Sequence, residues 1–372
     1  MRRLFGFMAA ALLLAACGRP GASSPTAPPI VTPAANTVPM DAAPQSGQEL
    51  VLLAHDSFSI SEDVLAAFEQ ETGATVAVLR GGDAGSMLNQ AILSRNAPVA
   101  DLIFGIDNTF LSRALEADIL EPYESPVLSA IPAELQLDPT NRMLPVDYGY
   151  VLINYDPQAL AAAGLAPPSR LEDLTQPEWR GKLAVQNPAT SSPGLAFLLA
   201  TIAHFGSEGD YTWEDFWAEL RANEVYVGND WTDVYYTQFS GSSGAGPYPL
   251  AVSYSTSPAA EVFFSEGALA EPPTANLFVP GGSFRQIEFV GILQGTEQRE
   301  LAEQFIDFML RPTFQADIPL QMFVYPANRD VALPEVFQQF AEVPEQPASL
   351  DAVTIEAERE NWLQRWTEIV LR

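Results

Sequence analysis

Four aspartates, Asp56, Asp83, Asp107 and Asp147, fall at strand ends or turns expected from the apolar runs beside them. Aspartate favours turns and caps on its own account, so each has a structural as well as a chemical reading. Together they would make a cleft of negative potential. Four aromatics, Trp231, Tyr254, Phe323 and Tyr325, lie near expected loops or element ends. A quaternary ring cation over such faces gains about 0.5–2 kcal/mol per contact, more when desolvated, and core packing competes for the same rings. The segment Asn187-Pro-Ala-Thr-Ser-Ser-Pro-Gly194 ends at a helix start with Pro193 suited to its first position. Ser191, Ser192 and free amides there would meet a hydroxyl or phosphate oxygen, the alternative being Ser192 as a plain N-cap.

Catalytic chemistry finds less support. His55-Asp56-Ser57 holds the residue types of a triad, but neighbours on an extended segment point in alternating directions and cannot converge. The other histidine, His204, lies on an apolar helix face and reads as packed. There is no Gly-Lys phosphate loop, HExxH or cysteine pair, so neither a cofactor nor a metal is expected. An extracellular hydrolase is the weaker alternative to a binding role.

The elements that must position these groups alternate. Leu50–Ala54 and Val76–Leu79 read as strands around a helix opened by Ser61 and closed by Gly73; Ser86–Arg95 reads as a helix and Leu102–Gly105 as a third strand. This is βαβ, implying a parallel sheet whose ligands bind beyond the carboxyl ends of its strands. A second alternation follows: strands Tyr150–Tyr155 and Leu183–Val185, a helix Gly194–Phe205, a helix capped by Thr212, a helix across Trp231–Phe239, and strand Leu250–Tyr254. Strand Gln286–Leu293 and helix Glu297–Leu310, ended by Pro312, return to the first lobe. The last helix repeats Ile355, Trp362, Trp366 and Ile369 at packing intervals.

Ahead of this body stand Arg2 and Arg3, an apolar run Leu4–Ala16, and Leu14-Ala15-Ala16-Cys17-Gly18. A basic start, a short apolar stretch and small residues form a secretory signal, residues 1–17, too short to span a bilayer. Cys17, the one cysteine, follows Leu-Ala-Ala as in a bacterial lipobox, which implies acylation and a membrane-lipid partner. Residues 18–48, rich in Pro, Ala, Ser and Thr, read as a disordered tether. With 47 acidic against 18 basic residues, net −29, nucleic acid is excluded as a natural partner and a cationic or neutral solute favoured.

The segments HDSF (55–58), ADLIFGIDN (100–108), PVDYGYVLINYD (145–156), QNPATSSPGLAFLL (186–199), DWTDVY (230–235), AVSYSTSPA (251–259) and FVYPAN (323–328) occur in order. The chain thereby resembles the thiamine-binding components of bacterial ABC importers, within a class that includes ferric-ion and polyamine binders. The resemblance implies an α/β, two-lobed periplasmic-binding-protein type II fold with hinge crossovers: residues 49–146 and 282–318 as one lobe, 147–281 and 319–372 as the other. It implies a monomer delivering thiamine or its phosphates to a membrane ABC permease from outside the cytoplasm. Trp231 and Tyr254 would be wall aromatics, Asp83 the acidic contact, and Ser191 or Ser192 the phosphate end. His55, Asp56, Asp107, Asp147, Phe323 and Tyr325 complete the expected ligand-binding set. His55 stands for a family tyrosine, Phe323 for a tryptophan, and Ala260 where tyrosine is frequent. Tyr235-Tyr236 resembles the paired tyrosines of the ferric-binding relatives, the alternative within the class.

Overall fold

The computed structural model describes residues 47–243 and 246–372. The expected signal segment with Cys17, and the tether apart from Gly47 and Gln48, lie outside the described residues.

The described strands are β1 (Glu49–Ala54), β2 (Thr75–Arg80), β3 (Leu102–Asp107), β4 (Leu120–Glu121), β5 (Leu144–Tyr155), β6 (Leu183–Gln186), β7 (Tyr226–Gly228), β8 (Leu250–Tyr254), β9 (Ala275–Leu277), β10 (Phe284–Leu293) and β11 (Tyr325–Pro326). They form one sheet in the order β2-β1-β3-β10-β5-β8-β6-β7, with β4 on β10 and β9 and β11 on β5. Two parallel blocks result, β2-β1-β3 and β8-β6-β7. The long antiparallel strands β5 and β10 join them. Both joining strands are buried along almost their whole length because elements cover both faces of the sheet.

Local chemistry explains the connecting helices. Helix Glu62–Thr72 stops at Gly73, whose φ of +72° suits glycine, and the Gly73 amide returns to the Glu69 carbonyl at 2.8 Å. Thr212 and Asp215 form a reciprocal capping box on helix Trp213–Ala222. Helix Ser192–Phe205 is apolar all round because it is buried from Ser192 to Ile202. Its last turn emerges, leaving His204 exposed, with its ring against Gly281 and edge-on to Phe205. Helix Arg299–Leu310 ends at Leu310, and Pro312 opens a further turn, Pro312–Gln315.

The terminal helix Ala352–Val370 packs through Trp366, fully buried and edge-on to Trp217 with centroids 5.5 Å apart. Trp366→Ala leaves a cavity the neighbouring Trp217 cannot fill, a cost of about 3–5 kcal/mol. Urea unfolding measures it, and an unshifted midpoint would contradict the packing.

Candidate functional site

β10 runs between β3 and β5, and its register sets Glu288 opposite Asp107 on one side and Asp147 on the other. Three carboxyl groups on adjacent strands thus make one row, all of them buried. The sequence places Asp107 and Asp147 at strand ends or turns; Asp107 is indeed the last residue of β3, whereas Asp147 lies inside β5, which begins at Leu144.

Three charges cannot persist in so dry a row. Burial pushes the Asp107 carboxyl up to about 6, although the Ser192 hydroxyl and the Thr109 amide, 2.7 Å from Oδ1, favour its ionised form. Burial and the Glu288 charge push Asp147 well above the carboxylate range, and among the described residues no donor reaches either of its oxygens. Of the coupled pair, Asp147 is therefore the carboxyl driven toward its protonated form. Burial also opposes the Glu288 charge, but His55, Asp147 and Gln286 more than offset it and leave Glu288 below its ordinary value. Gln286 Nε2 donates to Glu288 Oε1 at 3.0 Å, and His55 Nε2 lies 3.6 Å from Oε2. For His55, burial works against the imidazolium, and Glu288 and then Asp83 outweigh it, so its basicity is raised. Gly105, φ +95°, admits the ring: a Cβ there would lie 2.2 Å from His55 Cδ2.

Asp83 stands at the N-cap of helix Ala84–Leu93 without bonding it. Its Oδ2 accepts instead from the Trp231 backbone amide at 3.3 Å, linking the loop after β2 to the element after β7. Burial raises the Asp83 pKa, against the Ser191 hydroxyl and the His55 charge. That hydroxyl is buried near Asp83 but makes no hydrogen bond of good geometry among the described residues. Asp56 is exposed, and its Oδ1 accepts from the Gly82 amide at 2.9 Å, the turn role that aspartate fills readily. Asp56, Asp83, Asp230, Thr232, Asp233 and Thr237 line an open cavity of about 390 Å³. Small-molecule sites span roughly 300–1,000 Å³.

The helix expected across Trp231–Phe239 is a π-helix over Asp233–Gln238, in which Gln238 Nε2 reaches Asp233 Oδ1 at 3.2 Å. Gly228 permits its approach: a Cβ there would lie 2.6 Å from Asp233 Oδ2. The half-buried Trp231 indole stacks on Tyr235, planes 9° apart and centroids 5.2 Å apart, with Tyr236 edge-on. Its Nε1 donates to Ser253 Oγ at 2.8 Å. Tyr254 stands 6.4 Å from the indole and donates to Gln286 Oε1 at 3.0 Å. The tyrosine pair does not offer two free phenols: Tyr235 donates to Glu261 at 2.5 Å, and burial lifts Tyr235 far above its ordinary value and Tyr236 to about 12.

Ser192 is the first helical residue and Ser191 the N-cap, so Pro193 comes second in the helix. The Ser192 hydroxyl donates to Asp107 rather than capping. Phe323 and Tyr325 join a different apolar cluster from Trp231. Phe323, φ +54°, lies among Phe263, Phe264 and Phe337, and Tyr325 stacks on Tyr148 at 5.3 Å. Glu288, Gln286, Asp230 and Glu261 are the polar groups that sequence reasoning missed. For Gln286 and Glu288 there was a signal: two polar residues at strand period, on one face of a run whose only other polar residue is Arg285.

A family model for bacterial extracellular solute-binding proteins matches residues 97–346, more than half of the chain. The thiamine-binding periplasmic protein of Salmonella typhimurium (strain LT2) is 29% identical over 331 residues, 87% of this chain and 94% of that protein. The Escherichia coli (strain K12) thiamine-binding periplasmic protein is 27% identical over the same shares. A solved periplasmic thiamin binding protein is similar with a TM-score of 0.76 and 26% identity, covering 88% of this chain and 97% of that one. The chain belongs to the bacterial extracellular solute-binding proteins. It is a solute binder with the mixed α/β fold of that class, it works outside the cytoplasm, and it is not an enzyme. No helix among the described residues is long and apolar enough to cross a membrane.

Asp107 supplies a pH test. Its pKa is raised on folding, so the folded state disfavours its ionised form; the stability it costs is absent well below the ordinary carboxylate range and complete above about pH 6. Asp107→Asn removes that cost. The stability of the variant relative to the parent should rise by about 1–3 kcal/mol as pH climbs from about 4 to about 7. Urea melts across that range check it; a difference independent of pH would contradict the assignment.

Proposed function

We propose that this chain captures thiamine, free or phosphorylated, between the two blocks of its sheet and delivers it to an ABC permease. The observation that carries this reading is the meeting of Asp83 with Trp231: a carboxylate and a stacked indole at the edge of a cavity lined by four aspartates. A ring cation satisfies both surfaces at once, because the indole face attracts it and the aspartates balance its charge. The relatives named for thiamine binding supply the identity of the cation. Asp83 and Tyr254 serve as contacts beside Trp231, and the buried Ser191 hydroxyl, close to Asp83 but without a hydrogen bond of good geometry among the described residues, meets the alcohol or phosphate end.

Residues 49–146 with 282–318 form one lobe and 147–281 with 319–372 the other, with β5 and β10 as the hinge. The body acts as a monomer on the tether 18–48, held to the membrane by lipid on Cys17. Cys17→Ser should release the protein from the membrane fraction; a variant that sediments with membranes as the parent does would remove the anchor.

Calorimetry of the purified protein should give a thiamine Kd of about micromolar or tighter, about −8 kcal/mol. Trp231→Ala should weaken it by about 1–3 kcal/mol, as should Asp83→Asn, which replaces an acceptor oxygen with a donor. No heat at millimolar thiamine, or full affinity in both folded variants, would refute the reading.

A further inference from the structure

A stacked indole binds well only if it is held flat before the ligand arrives. Trp231 is held at its edge by Ser253, whose hydroxyl lies 2.9 Å from that of Ser257, and at its face by Tyr235. Tyr235 is buried, with Phe239 against its ring, and its hydroxyl donates to Glu261 Oε1 at 2.5 Å. Glu261, half-buried on helix Ser257–Phe264, takes the Thr274 hydroxyl on Oε2 at 2.6 Å. A continuous chain of contacts thus runs from Thr274 through Glu261 and Tyr235 to the ligand-facing indole.

On the reading that Trp231 meets the ligand, we infer that Glu261 is a positioning residue of the binding site. It fixes Tyr235, and through it the Trp231 indole, and its negative charge behind the two rings favours a cation over a neutral ligand of the same shape. A phenol that donates to a carboxylate keeps an electron-rich ring, and stacking extends that bias toward the face open to the cation. Burial pushes Glu261 up to about 7, in part offset by the Thr274 and Tyr235 hydroxyls and reinforced by Asp156. Those groups and Tyr236 are what face it, so its charge grows as pH rises through neutrality. His55 and Asp107 also titrate in the site, and comparison with a Glu261 variant subtracts them.

The test is thiamine calorimetry on the full chain and on Glu261→Ala, Glu261→Gln, Tyr235→Phe and the pair Tyr235→Phe/Glu261→Ala, each first shown to fold by its melting curve. Glu261→Ala should weaken binding about ten-fold. Glu261→Gln should bind nearly as the parent at about pH 6 and fall behind as pH rises above neutrality. The double variant should bind no worse than Glu261→Ala alone, because the residues act in series. Parent affinity in Glu261→Ala, a parent-to-Gln ratio that ignores pH, or additive losses in the pair would overturn the inference. Should the parent take up no thiamine, the proposed ligand fails, and the positioning role is judged without ligand. The Trp231 contribution to the near-ultraviolet circular dichroism, parent minus Trp231→Phe, should then largely vanish in Glu261→Ala, and its persistence would overturn the role.

Discussion

Glu288 is a charge the fold has placed in the middle of its own sheet. It sits on β10, one of the two strands that join the parallel blocks, with a carboxyl group opposite it on each side. An ionised group buried there survives only if its neighbours give way. Asp147 does so by leaning toward its protonated form, Gln286 by donating an amide hydrogen, and His55 by leaning toward the imidazolium. Each concession orients a residue: His55 comes from the end of the first block, and Gln286 in turn accepts the hydroxyl of Tyr254 from the second. Both walls of the candidate site are therefore referred to one carboxylate at the centre of the molecule.

The remaining site groups divide two tasks. On the proposed reading, the aspartates at the cavity, above all Asp83, Asp230 and Asp233, set the sign of what enters. The rings set its shape, since an indole backed by a parallel phenol offers a flat face and little else. A π-helix is a costly way to arrange three aromatic residues, and its presence at Asp233–Gln238 fits the tendency of such turns to occur where function demands a particular side-chain geometry. The same arrangement takes Tyr235 out of consideration as a free phenolate, because its proton is committed to Glu261.

Much of this was legible in the sequence, and the rest was hidden for identifiable reasons. Alternating apolar runs and helical periods located the strands of both blocks except the short β7, and strand β8 at Leu250–Tyr254 matches residue for residue. Trp231 and Tyr254 stand near each other, while Phe323 and Tyr325 belong to a separate cluster around Phe337. Asp147 was misplaced because local propensity assigns aspartate to turns, whereas pairing with Glu288 across strands distant in sequence decides its position. Glu261 was invisible because its partners, Tyr235 and Thr274, lie on separate elements. No periodicity distinguishes a π-turn from an ordinary helix over so short a span.

The central claim is that an aromatic stack and a ring of aspartates hold an organic cation between the two blocks. Native mass spectrometry of the protein isolated from its own cell envelope, with nothing added, tests it most directly. The complex should carry the mass of thiamine or one of its phosphate esters and lose it when Trp231 is replaced by alanine. A protein that retains iron or an uncharged solute instead, with Trp231 immaterial to its retention, would contradict the claim.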